Sequence, residues 1–320
     1  MATKEFTPST EQAPLEIITP LNLNHGTDIG KAAALHEISI GWVAPEYRDI
    51  LAQTQRFEPN PQRRIERERS AHQVGFGKFT NTRGEPILNV ALKPFSREED
   101  AIHEALGAQR LRDIGVETYN PVGLFMPQGG KGAILATETR NDLMGLDRDV
   151  WLEGLRVANE RDAIVAERNI RTVSDISHTL ADMNAHGFFH PDGQVKNWGV
   201  TPTGRIGAFD TERHVWLGSN EVRGFSGPLA LRDMSKLILS LTTTRKEGSI
   251  YGVGMYAGMG TDALVEAIDR DIVTPYHQGI LDTYEANRGD RVLESRADEL
   301  LTGVSTAKVA DSIRNFKSAQ

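Results

Sequence analysis

The sequence predicts an α+β fold in two lobes: a small antiparallel sheet with one helix, then a larger, mainly helical part. Three observations lead there. Between residues 71 and 138, short runs rich in β-branched and aromatic residues alternate with glycine- and proline-containing turns, broken by one strongly helical stretch. Downstream, apolar residues recur at helical spacing, at Val173, Ile176, Leu180 and Met183. The chain of 320 residues is 39% apolar, enough to bury a large core. The expected organisation is an N-terminal extension over 1–70, partly disordered and then helical, a small lobe over 71–138 and a large helical lobe over 139–320.

Taken in order, residues 1–14 are rich in Thr, Pro, Glu and Ser and read as disordered. Ile29 to Gln53 reads as helix interrupted at Pro45, and Pro59 to Ser70 as a charged linker or helix start. "HQVGFGKFTNTRGEPILNVALKPF" reads as a strand, a bend containing Gly75 and Gly77, a strand, a turn over Thr82 to Pro86, and a strand carrying Lys93. The following "SREEDAIHEALGAQRLRDIGV" is a helix. Ser96 caps it, Glu98, Glu99 and Asp100 suit its positive N-terminal end, and Gly115 stops it. A strand, a glycine-rich turn over Gly129 to Gly132 and an apolar strand, Ala133 to Thr137, come next. The periodic helix through Met183 ends at Gly187, a further helix carries Asp233, and several helices follow Ser249.

The most informative stretch is His190-Pro-Asp-Gly-Gln-Val-Lys-Asn197 with Asp210 beyond it. Asp192, Asn197 and Asp210 stand five and thirteen positions apart. Between the last two lies "WGVTPTGRIGAF", two short apolar strands around a Pro-Thr-Gly turn. A hairpin of that length returns Asn197 and Asp210 to one end, beside Asp192. An acid to orient a hydroxyl, with an amide and a carboxylate to hold hard cations, is what Mg²⁺-assisted phosphoryl transfer needs.

This H-x-D-x-x-x-x-N pattern, followed by an aspartate after a hairpin, resembles the catalytic and metal-binding loops of the protein-kinase-like superfamily. "NVALKPF" is similar to that superfamily's V-A-I-K strand. The resemblance spans roughly residues 71 to 240 and implies a two-lobed kinase-like fold using ATP and Mg²⁺. It makes Asp192 the residue that orients the acceptor hydroxyl, Asn197 and Asp210 the metal ligands, and Lys93 the neutraliser of the α- and β-phosphates. Glu104 would orient Lys93, with a solvated helix face as the alternative. Gly75 and Gly77 would let the backbone close over phosphate, with a hairpin glycine pair as the alternative. The backbone around Glu138 would meet the adenine. His190 would hydrogen-bond backbone near Asp210, and Asp233 would tie its helix to the catalytic loop, a helix N-terminal charge being the alternative. Glu212 would either join the cation site or point away along the strand.

The departures narrow the resemblance. Asp210-Thr211-Glu212 stands where Asp-Phe-Gly is expected, Pro191 replaces the arginine, and no Ala-Pro-Glu lies between Asp210 and Asp233. The pattern is closer to aminoglycoside phosphotransferases and lipopolysaccharide-core sugar kinases than to signalling kinases. A nucleoside triphosphate and a hydroxyl-bearing small molecule or sugar are therefore the expected partners. A protein Ser/Thr kinase, a nucleotide-binding pseudokinase and an enzyme transferring AMP are the alternatives. Other chemistries lack their motifs: there is no H-E-x-x-H, no G-x-S-x-G and no cysteine. A net charge of −8 argues against a nucleic-acid or anionic-membrane surface. The start lacks an apolar signal core and no run reaches membrane-spanning length, so a cytoplasmic location is expected.

Overall fold

The computed structural model describes residues 22–23, 38–64, 74–127, 132–146, 161–218, 224–243, 246–247 and 250–318. The architecture is α+β, in two compact units: Met1–Ile102 with Tyr119–Thr139, and His103–Thr118 with Arg140–Gln320. The expected disorder over 1–14 and the turn at Gly129 to Lys131 lie outside the described residues.

The first unit is a seven-stranded sheet. Its elements are β1 (Asn22–Leu23), β2 (Ile38–Val43), α1 (Arg48–Gln53), β3 (Arg56–Arg64), β4 (Gly75–Thr80), β5 (Pro86–Phe95), β6 (Asn120–Pro127) and β7 (Ala133–Glu138). The strand order is β1-β3-β4-β5-β7-β6-β2, antiparallel except for the β1–β3 pair. Alternation along β5 sends Val90 and Leu92 into one core with Leu51 of α1. The ring of Phe79 is wholly buried, edge-on to Phe57 and to Phe125 with centroids 6.1 Å away in each case. The β4–β5 turn is held by Asn81, whose side-chain oxygen accepts from the amides of Arg83 and Glu85 at 2.9 and 3.0 Å.

Three readings of the sequence are corrected here. The helix expected through Ile29 to Gln53 is strand over Ile38–Val43, and only Arg48–Gln53 is α-helical. Isoleucines at 38 and 40 and Val43 suit a strand that pairs with β6 through a bulge between Ile40 and Trp42. Pro45, lacking an amide hydrogen, opens a short 3₁₀ turn ahead of α1. Gly75 and Gly77 lie within β4, paired on both sides, not in a bend. The strand β3 likewise runs to Arg64, through residues expected as linker.

Helix α2 (Glu98–Asp113) follows β5. Gly115, at φ 80°, ends it, and the Val116 amide bonds the Leu111 carbonyl at 2.9 Å. The second unit contains β8 (Met144–Gly145), α3 (Arg161–Ala185), β9 (Phe188–Phe189), β10 (Trp198–Val200), β11 (Ile206–Ala208), β12 (Val215–Trp216) and α4 (Ser226–Thr242). The short pair β13 (Lys246–Glu247) and β14 (Ile250–Tyr251) follows. The unit closes with α5 (Thr261–Ile268), a π-helical turn over Asp269–Val273, α6 (Thr274–Ala286), α7 (Arg291–Gly303) and α8 (Thr306–Ser318). Val173, Ile176, Leu180 and Met183 are all wholly buried, in a core shared with Phe188, Trp198, Leu237 and Tyr276. Helix α3 lies along α6, and Gly279 permits the close approach: a Cβ there would sit 2.8 Å from the His178 carbonyl oxygen. Among the described residues no helix is long and apolar enough to cross a membrane.

Candidate active site

The site grows from the end of α3. Gly187 adopts φ 82° and turns the chain into β9, which pairs antiparallel with β12. His190 follows, wholly interior. Its amide donates to Asp233 Oδ2 at 2.8 Å and its Nε2 donates to the Phe209 carbonyl at 2.9 Å. Burial pushes the imidazole below its ordinary pKa, so His190 works as a neutral strut between two loops, as the sequence suggested.

Asp192 is fixed by its own loop. Asn197 Nδ2 donates to the Asp192 carbonyl at 2.7 Å and to its Oδ2 at 3.0 Å, while Gln194 Nε2 donates to Oδ1. Both carboxylate oxygens are thereby oriented. The loop is anchored beneath by Val195 N on Ser240 Oγ at 3.1 Å and by Trp198 Nε1 on the Gly193 carbonyl at 3.0 Å. With the Asn197 nitrogen committed to Asp192, its side-chain oxygen is the atom it can offer a cation.

The expected hairpin is present: β10 pairs β11 antiparallel, Trp198 opposite Ala208, around a turn at Thr201 to Gly204. Asn197 and Phe209 flank its open end, away from the turn, joined by the Phe209 amide on the Asn197 carbonyl at 2.7 Å. Strand β11 is held from its other side, where Thr118 Oγ1 donates to the Ala208 carbonyl at 2.7 Å. Asp210 then leaves with φ 57°, the non-glycine residue among those described that adopts left-handed backbone. Aspartate tolerates that region better than most residues. The backbone departure turns the chain sharply at the residue expected to bind metal.

One carboxylate oxygen each from Glu104, Asp210 and Glu212 lies within 4.8 Å of the others. Glu104 is only 1% exposed. Glu212 therefore turns toward Asp210 and does not run off along a strand. Three hard oxygen donors this close suit a divalent cation, whose charge would offset their mutual repulsion.

Asp233 sits below the loop on α4, wholly buried. Its Oδ2 accepts from His190 N and from Asn184 Nδ2, the latter at 3.2 Å, and Asn184 in turn accepts from Tyr276 OH at 2.9 Å. Its Oδ1 has no hydrogen-bond partner among the described residues, and burial pushes the carboxyl up to about 7. Of the two readings of Asp233, the tie to the loop backbone is the one observed.

The remaining expected residues belong to the first unit. Lys93 stands on β5 with its ammonium 5.0 Å from the centroid of the Phe95 ring. Glu138 ends β7 and accepts from Tyr47 OH at 2.6 Å and Asn120 Nδ2 at 2.8 Å. A Cβ on Gly77 would meet the Glu58 carbonyl oxygen at 2.3 Å and the Phe57 ring at 2.5 Å. Packing of β3 on β4 therefore accounts for Gly77.

Sequence reasoning passed over Gln194, Asn184 and His214. Gln194 sits inside the most specific motif and was legible there as an amide two residues beyond the acid. The other two take their place in the site through partners distant in sequence, Asn184 through Asp233 and Tyr276 and His214 through Arg110. A separate cavity of about 440 Å³ opens along α3 and α6, lined by Asp175, His178, Asp182, Arg205 and Asp282 among others. Its charges are largely answered within the protein: His178 bonds Asp282, and Thr283 and His186 bond Asp182.

No family model matches the chain, and no curated protein matches it. Among solved structures, one described as WaaP in complex with acyl carrier protein is similar at 16% identity and TM-score 0.43, covering 86% of this chain and 98% of that one. A likeness at that level leaves the reading to the chain's own topology and site.

Proposed function

We propose that this protein is an ATP- and Mg²⁺-dependent phosphotransferase of kinase-like fold, acting on a hydroxyl acceptor, with a small molecule or sugar favoured over protein. The observation that carries the reading is the Asp192 loop: an aspartate oriented through both oxygens by Gln194 and Asn197, beside a hairpin that delivers Asp210 to the same end. In this reading residues 71–138 are the ATP-binding lobe and 139–320 the catalytic lobe.

Asp192 orients the acceptor hydroxyl and takes its proton as the oxygen attacks the terminal phosphorus, whose bond to the bridging oxygen breaks to release ADP. Asn197 Oδ1 and Asp210 would hold the cation, and Glu212 and Glu104 lie close enough to Asp210 to add oxygen donors. When bound, Mg²⁺ supplies charge neutralisation at the triphosphate. Lys93 is assigned to the α- and β-phosphates. Little covalent chemistry falls to the protein, so holding these groups in place supplies most of the acceleration. The short span from Asp210 to Asp233 leaves no long activation segment, which favours a small acceptor.

The test is calorimetric titration of ATP with and without Mg²⁺ on wild type and Asp210→Asn, a substitution that still tolerates left-handed backbone. Mg²⁺-dependent binding that is lost in the variant is expected. Wild type that binds no ATP with any divalent cation overturns the reading. The mass of a modified acceptor then separates phosphate from AMP.

A further inference from the structure

The segment after Asp210 is bound to α2 and to β9 through one histidine. The Thr211 hydroxyl donates to the Glu104 carbonyl at 3.0 Å. His214 returns to the same residue, its amide and its Nδ1 both donating to the Thr211 carbonyl, at 3.0 and 2.8 Å. Arg110 contacts His214 Nε2 at 2.6 Å. Arginine can only donate, so Nε2 is the acceptor and Nδ1 carries the proton, which is the tautomer the Thr211 bond requires. One face of the imidazole stacks on Phe188 with centroids 4.9 Å apart and planes 3° from parallel. Arg110 also lies 5.2 Å from the centroid of the Trp216 ring, and Trp216 pairs with Phe188 in the β9–β12 ladder.

What lets the segment sit directly on the helix is Gly107, one turn beyond Glu104. A Cβ there would lie 2.5 Å from Thr211 Oγ1 and 2.9 Å from His214 Nδ1. Glycine inside a helix is otherwise unfavourable relative to alanine, so the position meets a packing need.

We propose that His214, seated on Gly107, is a positioning residue that holds Asp210 and Glu212 against Glu104, so that the cation-binding arrangement stands assembled without a switching segment. This rests on the phosphotransferase reading for its purpose and on the contacts above for its geometry. The same residue connects both halves of the site. Through Phe188 and the β9–β12 pairing it reaches the strand that leads into His190 and Asp192, and through Thr211 it reaches the backbone of Asp210.

Two variants test it. His214→Phe keeps the stack on Phe188 and removes both side-chain hydrogen bonds, while Gly107→Ala leaves His214 intact and displaces it. Each is expected to raise the Mg²⁺ concentration needed for half-maximal ATP binding about 10-fold, the usual cost of losing a residue that orients a metal ligand. Binding at saturating Mg²⁺ should persist. A merely structural role would lower the melting temperature without moving the Mg²⁺ dependence of the folded molecules. Hydrogen exchange supplies the second readout, independent of nucleotide: amides of His214 and Leu217 are expected to exchange faster in both variants, while those of Leu180 and Met183 hold. Unchanged Mg²⁺ dependence in both variants, against Mg²⁺-dependent wild type, overturns the proposal and leaves the phosphotransferase reading standing. Unchanged exchange at His214 overturns the clamp itself, and wild type without Mg²⁺-dependent ATP binding overturns the function reading and the clamp's assigned purpose.

Discussion

Asp233 shows how one buried residue can set a pH dependence for the loop it supports. It is enclosed by α4, by Asn184 and Tyr276 and by the His190 amide, and one of its oxygens has no hydrogen-bond partner among the described residues. Removal from water disfavours the anion and raises its pKa from 3.8 to about 7, against the opposing effect of the two donors. Between those values the folded protein holds a proton that the unfolded chain has released. The stability this contributes is complete below the unfolded value and is lost as pH rises through about 7. Asp233→Asn keeps an acceptor for the His190 amide and cannot ionise. Between pH 5 and 8 wild type is therefore expected to lose stability relative to the variant by on the order of 2 kcal/mol. Urea denaturation of both proteins across that range measures it, and parallel curves would mean that Asp233 titrates at its ordinary value. The sequence offered Asp233 as either a helix-end charge or a loop tie. Only the burial produced by α3, α4 and α6 together decides between them.

At the scale of elements, β4 carries the clearest disagreement between pattern and structure. Glycines at 75 and 77 read as a flexible bend near phosphate, yet Gly77 lies in a strand with the Phe57 ring over it. Gly77→Ala is accordingly expected to cost about 1–3 kcal/mol by overpacking. It should leave the ATP affinity of the folded protein unchanged, and adding Phe57→Leu should recover part of the lost stability. Titrating ATP into the alanine variant at a temperature where it is fully folded checks this, and a large loss of affinity there would return Gly77 to the phosphate site. The same logic explains what was legible. Helix α3 was readable because Val173, Ile176, Leu180 and Met183 repeat at helical spacing, and the β10–β11 hairpin because Pro202 and Gly204 mark its turn. The strand at Ile38–Val43 was hidden because its partner, β6, is some eighty residues away in sequence. The clustering of Glu104 with Asp210 and Glu212 was hidden for the same reason: α2 and the post-hairpin turn meet only after folding, through Gly107 and Thr211. The Asp192–Asn197 link was legible because both residues lie in one short loop.

For the whole molecule, the decisive fact is that its two units bury separate apolar clusters. One gathers Leu51, Phe57, Phe79, Val90, Leu92 and Phe125 on the seven-stranded sheet. The other gathers Val173, Leu180, Phe188, Trp198, Leu237 and Tyr276 among the helices. A unit with its own core has its own opening free energy, so damage to one core should appear first in that unit's backbone. Phe79→Ala removes a wholly buried ring edge-packed on two others and is expected to cost about 3–5 kcal/mol. Native-state hydrogen exchange at low denaturant would then show amides of β4, β5 and β7 opening at correspondingly lower free energy. Amides of α3 and α6, tied to the second core, would keep their wild-type protection. Asp192, Asn197 and Asp210 all belong to the second unit. ATP with Mg²⁺ should therefore raise protection around β10 and β11 by RT ln(1 + [L]/Kd), about 2.7 kcal/mol at a hundredfold excess over Kd, in wild type and in Phe79→Ala if Asn197 and Asp210 bind without the first unit's core intact. Equal loss of protection in α3 and in β5 would instead show that the chain opens as one cooperative body. The first unit's packing would then be a condition for the site's geometry, and Phe79→Ala would weaken Mg²⁺-dependent nucleotide binding even though it touches none of the residues assigned to it.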